Sequence, residues 1–272
     1  GGPVKRDKMF YFAGFEALRE SLGETTTFNV PNDTARQGII RTAGANGAIN
    51  STNVAIAPAV RPYLEAFPRA TSPLLTNGVA DLNVGQYSVG RNQVTPHTFW
   101  VGKLDHRFSD NDSIALRYAR DKTDQTNPVT LVTGEFHKNF SNFGNIEYVH
   151  IFSPLLISKF MAAINRTDIG IIDYALPGAN IVSKTYTDFT DGFGNFSVTG
   201  LSAVGGNTTN PKRNVQNDFQ LKEDLTYAMG AHALKFGIHF DRFQLNQRSE
   251  ARGFVVRRAG AAAVPWCRWW SG

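Results

Sequence analysis

Two segments, 217–227 and 232–243, are joined by a short turn at Met229-Gly230-Ala231, and their patterning limits what the chain can fold into. In the first, Phe219, Leu221, Leu225 and Tyr227 alternate with Asp218, Gln220, Lys222, Asp224 and Thr226. In the second, Leu234, Phe236, Ile238 and Phe240 alternate with Lys235, Gly237, His239 and Asp241. A period of two sends successive side chains to opposite faces, so each segment reads as a strand with one apolar and one polar face. Strands of about ten residues with this alternation suit an outer-membrane barrel wall, with lipid on one side and an aqueous lumen on the other.

The pattern recurs in two further pairs. Segments 98–108 and 113–120 flank Ser109-Asp110-Asn111-Asp112, all turn formers. Ile114, Leu116 and Tyr118 share one face, whereas Phe99 and Val101 run out of phase with Trp100, Leu104 and Phe108. Segments 145–152 and 155–166 turn at Ser153-Pro154, with Ile146, Tyr148 and Phe152 on one face and Leu156, Phe160 and Ile164 likewise. The stretches between pairs, 121–143 and 167–216, are far longer than the roughly 4 to 6 residues typical of compact domains. Short turns at one rim and long loops at the other are the barrel arrangement. A soluble β-sandwich with two large insertions is the alternative.

Residues 8–16 read as a strand apolar on both faces: Phe10, Phe12 and Gly14 on one, Met9, Tyr11, Ala13 and Phe15 on the other. Residues 25–30 read as a short return strand ending at Pro31, followed by a helix start capped by Asn32 or Asp33. A short proline-started helix is expected within 53–67, inside a long external connection reaching to about Gln86.

Composition fits this reading. No run approaches the 18 or so consecutive apolar residues of a transmembrane helix, a test that barrel strands escape because half their residues are polar. Aromatic residues make up 12%, with 20 Phe, enough to furnish girdles at both membrane interfaces. The net charge of +5 forms no basic stripe of the nucleic-acid-binding kind. The single cysteine, Cys267, cannot form an internal disulfide and fits neither a disulfide scaffold nor a zinc site.

Residues 251–272 change character. They hold Cys267, Trp266, Trp269, Trp270 and four arginines without an acid, and Arg257-Arg258-Ala259-Gly260-Ala261-Ala262-Ala263 shows no alternation. We expect 1–250 to be the N-terminal part of a barrel and 251–272 an anomalous tail, frame-shifted or disordered. The Gly1-Gly2-Pro3 opening has no initiator Met or signal peptide, so we expect the natural start to lie upstream.

Candidate chemistry is sparse. His97, His106, His137, His150, His232 and His239 show no ligand spacing, and His106 and His150 read as rim or lumen residues. Asp110-Asn111-Asp112-Ser113 lacks the glycine and distal glutamate of a calcium loop and reads as a hairpin turn. Gly192-Phe193-Gly194 has no helix behind it, and neither Ser153 nor Ser271 lies in a nucleophile elbow. The sequence assigns no catalytic, cofactor-binding or metal-binding residue, and we expect no enzyme. Loop aromatics that could meet a ligand are Tyr63, Phe67, Tyr87, Phe136, Phe140, Tyr186, Phe189 and Phe193, and none is singled out as a site.

Several segments together resemble one family. Gly1-Gly2-Pro3-Val4 followed by Lys8-Met9-Phe10-Tyr11-Phe12-Ala13-Gly14-Phe15-Glu16-Ala17-Leu18-Arg19 is similar to the barrel start of TonB-dependent outer-membrane receptors. The nearest subset is the Oar-like group, which carries a carboxypeptidase-regulatory-like domain ahead of the plug. Val30-Pro31-Asn32-Asp33-Thr34-Ala35-Arg36-Gln37-Gly38 and Ala57-Pro58-Ala59-Val60-Arg61-Pro62-Tyr63-Leu64-Glu65-Ala66-Phe67-Pro68 resemble its first loop. Gly102-Lys103-Leu104-Asp105-His106-Arg107-Phe108 with Asp112-Ser113-Ile114-Ala115-Leu116-Arg117-Tyr118 resembles its strand-turn-strand unit. His150-Ile151-Phe152-Ser153-Pro154 and Gly230-Ala231-His232-Ala233-Leu234-Lys235-Phe236-Gly237 follow in the same order.

The resemblance, covering about residues 1–250, implies an all-β fold: part of an antiparallel 22-stranded transmembrane barrel with long extracellular loops and a plugged lumen. It implies the outer membrane of a Gram-negative bacterium, lipid contact, and ligand import energised by the TonB-ExbB-ExbD complex through a plug that this stretch lacks. The ligand is open among siderophore, cobalamin, oligosaccharide and peptide. The reading from another class is a secreted or surface β-module that binds or adheres through its loops without transport; a passive porin is compatible with the strand physics alone.

Overall fold

The computed structural model describes residues 1–179 and 195–249, and the backbone of 254–255. In chain order the strands are β1 (Gly2–Lys5), β2 (Met9–Pro31), β3 (Ile39–Ala43), β4 (Ile49–Asn53), β5 (Ser72–Thr76), β6 (Val79–Arg107) and β7 (Asp112–Asn127). They continue as β8 (Thr133–Ser153), β9 (Leu156–Ala175), β10 (Asn195–Ser197), β11 (Val204–Gly205), β12 (Lys212–Met229), β13 (His232–Ser249) and β14 (Phe254–Val255). Two short helices, α1 (Asp33–Arg36) and α2 (Arg61–Ala66), lie between β2 and β6.

One sheet dominates, in the order β1-β2-β6-β7-β8-β9-β12-β13 with β5 beside β6, and every pairing in it is antiparallel. The three hairpins read from the sequence are β6/β7, β8/β9 and β12/β13, joined by tight turns. In the second, Ser153 Oγ accepts the Leu155 and Leu156 amides at 3.2 and 3.1 Å. Gly230, in the third, has φ +60°, a left-handed conformation that favours glycine.

The register sorts the side chains. On one face Tyr11, Leu104, Leu116, Ile146, Ala162, Leu221 and Phe240 lie in a single row. The next row toward the long loops is Ala13, Gly102, Tyr118, Gly144, Ile164, Phe219 and Arg242. This face is bare, with Phe15 and Ile238 each 74% exposed, so the apolar band is not covered by protein among the described residues. Trp100 packs on Tyr118 at its upper margin (ring centroids 5.0 Å apart), and Phe108, Phe152 and Tyr227 mark the margin near the short turns. Two aromatic margins around an exposed apolar band are what a lipid bilayer covers.

The opposite face carries the ion pairs: Lys103–Asp105 (2.9 Å), Lys159–Glu147 (2.9 Å) and Lys222–Asp224 (2.9 Å), with Lys235 joining Asp224 at 3.5 Å. Such pairs belong in water. The phase conflict noted in β6 follows from this division, since Trp100 and Leu104 face outward whereas Phe99 and Val101 sit on the ion-pair face.

Three expectations change. Residues 8–16 and 25–30 are not separate strands. They belong to the continuous β2, which pairs with β6 from Met9↔His106 to Pro31↔Val84. The segment between them, Ala17-Leu18-Arg19-Glu20-Ser21-Leu22-Gly23-Glu24, lacks strong alternation, but the β6 partner supplies its ladder. The connections are also shorter than 121–143 and 167–216, because β7, β8, β9 and β12 continue past the apolar band into water. Polar strand extensions carry no periodic apolar signal and read as loops. Finally, position 223, in phase with the apolar face, is Glu223. Its carboxylate accepts a 2.5 Å hydrogen bond from Ser158 Oγ.

Asn32 caps α1 as expected, its Oδ1 accepting the Ala35 amide at 2.9 Å. The proline-started helix appears as a 3₁₀ turn (Pro58–Val60) leading into α2.

Placing charge on the outward face should disrupt assembly. Phe236→Arg is expected to cost about 2–4 kcal/mol near the bilayer midplane and to abolish heat-modifiable assembly of the full protein in membranes. Lys235→Ala, on the opposite face, should assemble as wild type. Equal tolerance at both positions would contradict the assignment of faces.

Candidate functional site

The buried hydrophobic cluster lies at the loop end of the sheet, not in the middle. Phe28 and Val30 at the end of β2 meet Ala66 and Phe67 of the α2 region, Leu131 and Val132 between β7 and β8, and Val204 of β11. Phe28 and Val30 pair with Tyr87 and Gly85 and share the polar, lumen-side face, so the external connections fold inward over that face. Burying apolar side chains is the driving force for ordering them.

Polar anchors fix the packing. Arg91 Nη2 donates to the Leu131 carbonyl at 2.8 Å, Nη1 donates to the Thr130 carbonyl, and the guanidinium lies 5.4 Å from the Phe28 ring centre. Burial pushes the Arg91 pKa down, partly countered by Tyr87 and Tyr174. Thr133 Oγ1 donates to the Gly205 carbonyl at 2.6 Å and lies 2.7 Å from Thr130 Oγ1. Ser202 and Asn29 bond reciprocally, Asn29 N–H to Ser202 Oγ and Ser202 N–H to the Asn29 carbonyl, both at 2.9 Å.

A second anchor joins two carboxylates. Asn210 Nδ2 donates to Asp173 Oδ1 (2.7 Å) and Glu135 Oε1 (3.1 Å), Asn207 Nδ2 donates to Glu135 Oε1 (2.9 Å), and Asn207 N–H donates to Asp173 Oδ2 (3.0 Å). His137 Nε2 sits 2.9 Å from Glu135 Oε2. Burial raises the Asp173 pKa, and its bond from Asn210 only partly offsets this. Burial also acts upward on Glu135, but the donors Asn207, His137 and Asn210 outweigh it and hold Glu135 below its ordinary value. The Asn-rich stretch that the sequence presents as loop is thus the tether of the loop end.

Between these anchors opens a cavity of about 640 Å³. Tyr87, Val89 and Arg91 of β6, Leu131, Tyr174 at the end of β9 and Pro177 just beyond it line it. Gly134 allows the Tyr174 ring to lie flat across β8, since a Cβ there would come within 2.5 Å of the ring. The lining is largely apolar and aromatic with a few polar groups, the usual character of a small-molecule pocket.

The aromatic residues singled out from sequence divide accordingly. Tyr87 lines the cavity. Phe67 is 3% exposed and belongs to the packed cluster. The Tyr63 ring packs on Phe196, centroids 5.2 Å apart and planes tilted by 36°. Phe136 and Phe140 are not in a loop: both lie on the outward face of β8, and Phe140 sits beneath the Arg120 guanidinium at 4.5 Å. Tyr186, Phe189 and Phe193, the Gly192-Phe193-Gly194 run, and the tail with Cys267 and Ser271 lie outside the described residues. Sequence reasoning missed Arg91 and Tyr174, whose positions depend on β6 and β9 continuing beyond the membrane band; pairing length would have been the signal.

The histidines scatter as well. His150 Nδ1 lies 2.6 Å from Asp112 Oδ1 at the turn rim, His97 pairs with Asp121 at 3.2 Å, and His239 with Asp241 at 3.0 Å. His106, across from Ile114, also belongs to the outward face near the turns, so both strand histidines noted from sequence occupy the rim rather than the lumen. The Ser109–Asp112 segment closes on itself, Ser109 Oγ donating to Asp112 Oδ2 at 2.7 Å, as a hairpin turn does.

An exposed apolar band, an ion-paired opposite face, tight turns at one rim and packed loops at the other converge on one architecture, and the family comparison agrees. The outer membrane beta barrel domain matches residues 1–261. The chain belongs to that family. Its place is the outer membrane of a Gram-negative bacterium, with the outward band against lipid. No curated protein and no solved structure matches the chain.

Two outcomes follow for the loop end of this barrel protein. Asn210→Ala removes the amide shared by Glu135 and Asp173 and should destabilise the tether by about 1–3 kcal/mol. Hydrogen exchange should then rise across 204–211, with the β8/β9 and β12/β13 hairpin turns unchanged. The pH dependence has two signs. Asp173, its pKa raised, favours the folded loops when protonated, an effect complete below its unfolded value and lost as pH rises through the folded one. Glu135, its pKa lowered, favours them above its unfolded value, and that contribution is lost as pH falls through the folded one. Exchange protection of 204–211, corrected for intrinsic rates, should therefore hold or increase as Asp173 takes its proton and fall only when Glu135 does.

Proposed function

We propose that this chain is part of the barrel of a TonB-dependent outer-membrane transporter, binding a ligand at its external loops for import. The observation that carries the reading is the inward fold of those loops: Phe28, Val30, Phe67, Leu131 and Val204 pack at the loop end of the lumen-side face, and a 640 Å³ cavity opens beside them. Loops that close over a lumen suit capture followed by passage, whereas adhesion would be served by loops reaching outward. The family-type motifs in 1–19, 30–38 and 57–68 support the same assignment, and residues 30–38 and 57–68 supply part of the packed loop structure.

The open edges support the idea of a partial barrel. Among the described residues β13 pairs only with β12, and β1 covers only the start of β2, so unpaired backbone groups would face hydrocarbon unless more strands completed the wall. The plug, the energy-coupling contact and the remaining strands then belong to the parent protein. No step in this role calls on catalysis by the chain.

The β3/β4 hairpin, which exposes Ile40 and Ile49, supports the adhesion alternative. The two readings part on energy dependence. Cells expressing the complete gene should accumulate its ligand, screened from radiolabelled siderophore, cobalamin, oligosaccharide and peptide pools, only with TonB present and the proton gradient intact. Surface binding without accumulation in both backgrounds would favour the adhesion module.

A further inference from the structure

The outward face changes sign just above the apolar band. Arg120, Arg166 and Arg242 stand at its loop-side margin, and Lys122, Lys138 and Arg213 lie one or two rows higher on the same face. Among the described strand residues of that zone, Asp124 and Asp168 are the acids on this face, taken by Lys122 (2.6 Å) and Arg213 (2.7 Å) respectively. Arg120, Arg166, Arg242 and Lys138 are in no ion pair among the described residues. The other face of the same strands is acidic at this height, with Glu16, Glu20, Asp121 and Asp218. The positive charge is therefore placed on one side rather than spread by overall composition.

Two concavities adjoin this belt. Within it, a cavity of about 510 Å³ opens over Gly170, where the cations Lys138, Lys212, Arg213 and Arg248 outnumber the carboxylates Asp168 and Asp173. Below it, on the apolar band, a groove of about 670 Å³ runs over Gly102, Gly144 and Ala162 between Leu116, Ile146 and Phe219. Gly102 leaves open space, since a Cβ there would meet nothing within 4 Å, and Gly144 lets the groove pass against Ile164 and Tyr118, 3.6 and 3.7 Å from where its Cβ would be. Along β9 the groove (Ile164) and the cationic cavity (Gly170) are separated by Arg166 and Asp168, a rise of about 20 Å at 3.3 Å per residue. An anionic headgroup above and an acyl chain below match that spacing and chemistry, as basic sites beside transmembrane segments match phosphate headgroups.

We propose that the outward face of β7, β8, β9 and β12 is a binding site for an outer-leaflet lipid with a phosphorylated headgroup, its phosphate held by Lys138, Arg166 and Arg213 and an acyl chain lying over Gly102 and Gly144. The site rests on membrane placement and side-chain geometry and is independent of the transport reading.

The test uses the complete protein extracted from outer membranes into mild detergent, with native mass spectrometry of added diphosphoryl lipid A, the same lipid after phosphatase treatment, and inorganic phosphate. Wild-type protein should retain the diphosphoryl lipid at least tenfold over the dephosphorylated one. The double substitution K138Q/R166Q should erase that preference. Gly144→Leu should lower retention of both lipids, and Lys235→Gln on the opposite face should change neither. Heat-modifiability in each variant reports that the barrel still folds. Equal retention of the two lipids by wild type, or an undiminished preference in K138Q/R166Q, would overturn the site. Displacement by inorganic phosphate with no effect of Gly144→Leu would also overturn it, showing a free-phosphate site in place of a lipid one.

Discussion

Backbone hydrogen bonding in hydrocarbon is the constraint from which the rest of this structure follows. An unpaired N–H or C=O in lipid costs several kcal/mol, so strands can cross only as part of a continuous ladder. The sheet meets that demand by running antiparallel from β1 to β13 with almost unbroken register: β12 pairs residue for residue with β13 from Lys212↔Ser249 to Met229↔His232. The side chains are then free to be sorted by solvent instead of by a protein core. Wherever the ladder is fixed, period-two alternation delivers one face to lipid and the other to the ion pairs around Asp224 and Glu147.

This inverts the usual arrangement of a globular protein. The transmembrane part has no buried hydrophobic cluster among its described residues, and the packed one sits where the chain returns to water, between Phe28, Val30, Phe67, Leu131 and Val204. Water drives that packing by the hydrophobic effect, which has no counterpart against a lipid chain. The same boundary explains the polar tethers. Near the loops Glu135 and Asp173 can be partly buried because Asn207 and Asn210 supply donors, whereas Glu223, inside the apolar band, depends on the single hydroxyl of Ser158. An ionisable residue at that depth is costly unless paired.

Charge is distributed with the same regard to depth. The outward face is nearly free of charge across the apolar band and turns cationic immediately above it, while the lumen side at that level carries acids. A protein whose strands outlast the membrane has two surfaces there, one toward headgroups and one toward the loop-covered mouth, and their opposite signs keep the two environments distinct. The proposed transport uses the second surface and the proposed lipid recognition the first.

The sequence alone determined the membrane-facing part, because there the solvent on each side acts directly on every second residue. Leu234, Phe236, Ile238 and Phe240 could be assigned to lipid without knowing their neighbours, and the three tight turns followed from Ser109-Asp110-Asn111, Ser153-Pro154 and Gly230. Glu223 does not stand out in the sequence, because a single carboxylate does not break a strong alternation. What only the tertiary structure decided lies beyond the membrane. β2 appears broken in sequence and is continuous in space because β6 pairs with it through Arg19 and Glu20; β8 extends through Phe136 and Phe140 because β7 and β9 hold it on both sides. Arg91, Tyr174 and Asn210 meet only after those extended strands and the returning loops are in place. In water both faces of a strand see the same solvent, so local pattern loses its power, and long-range pairing sets the structure.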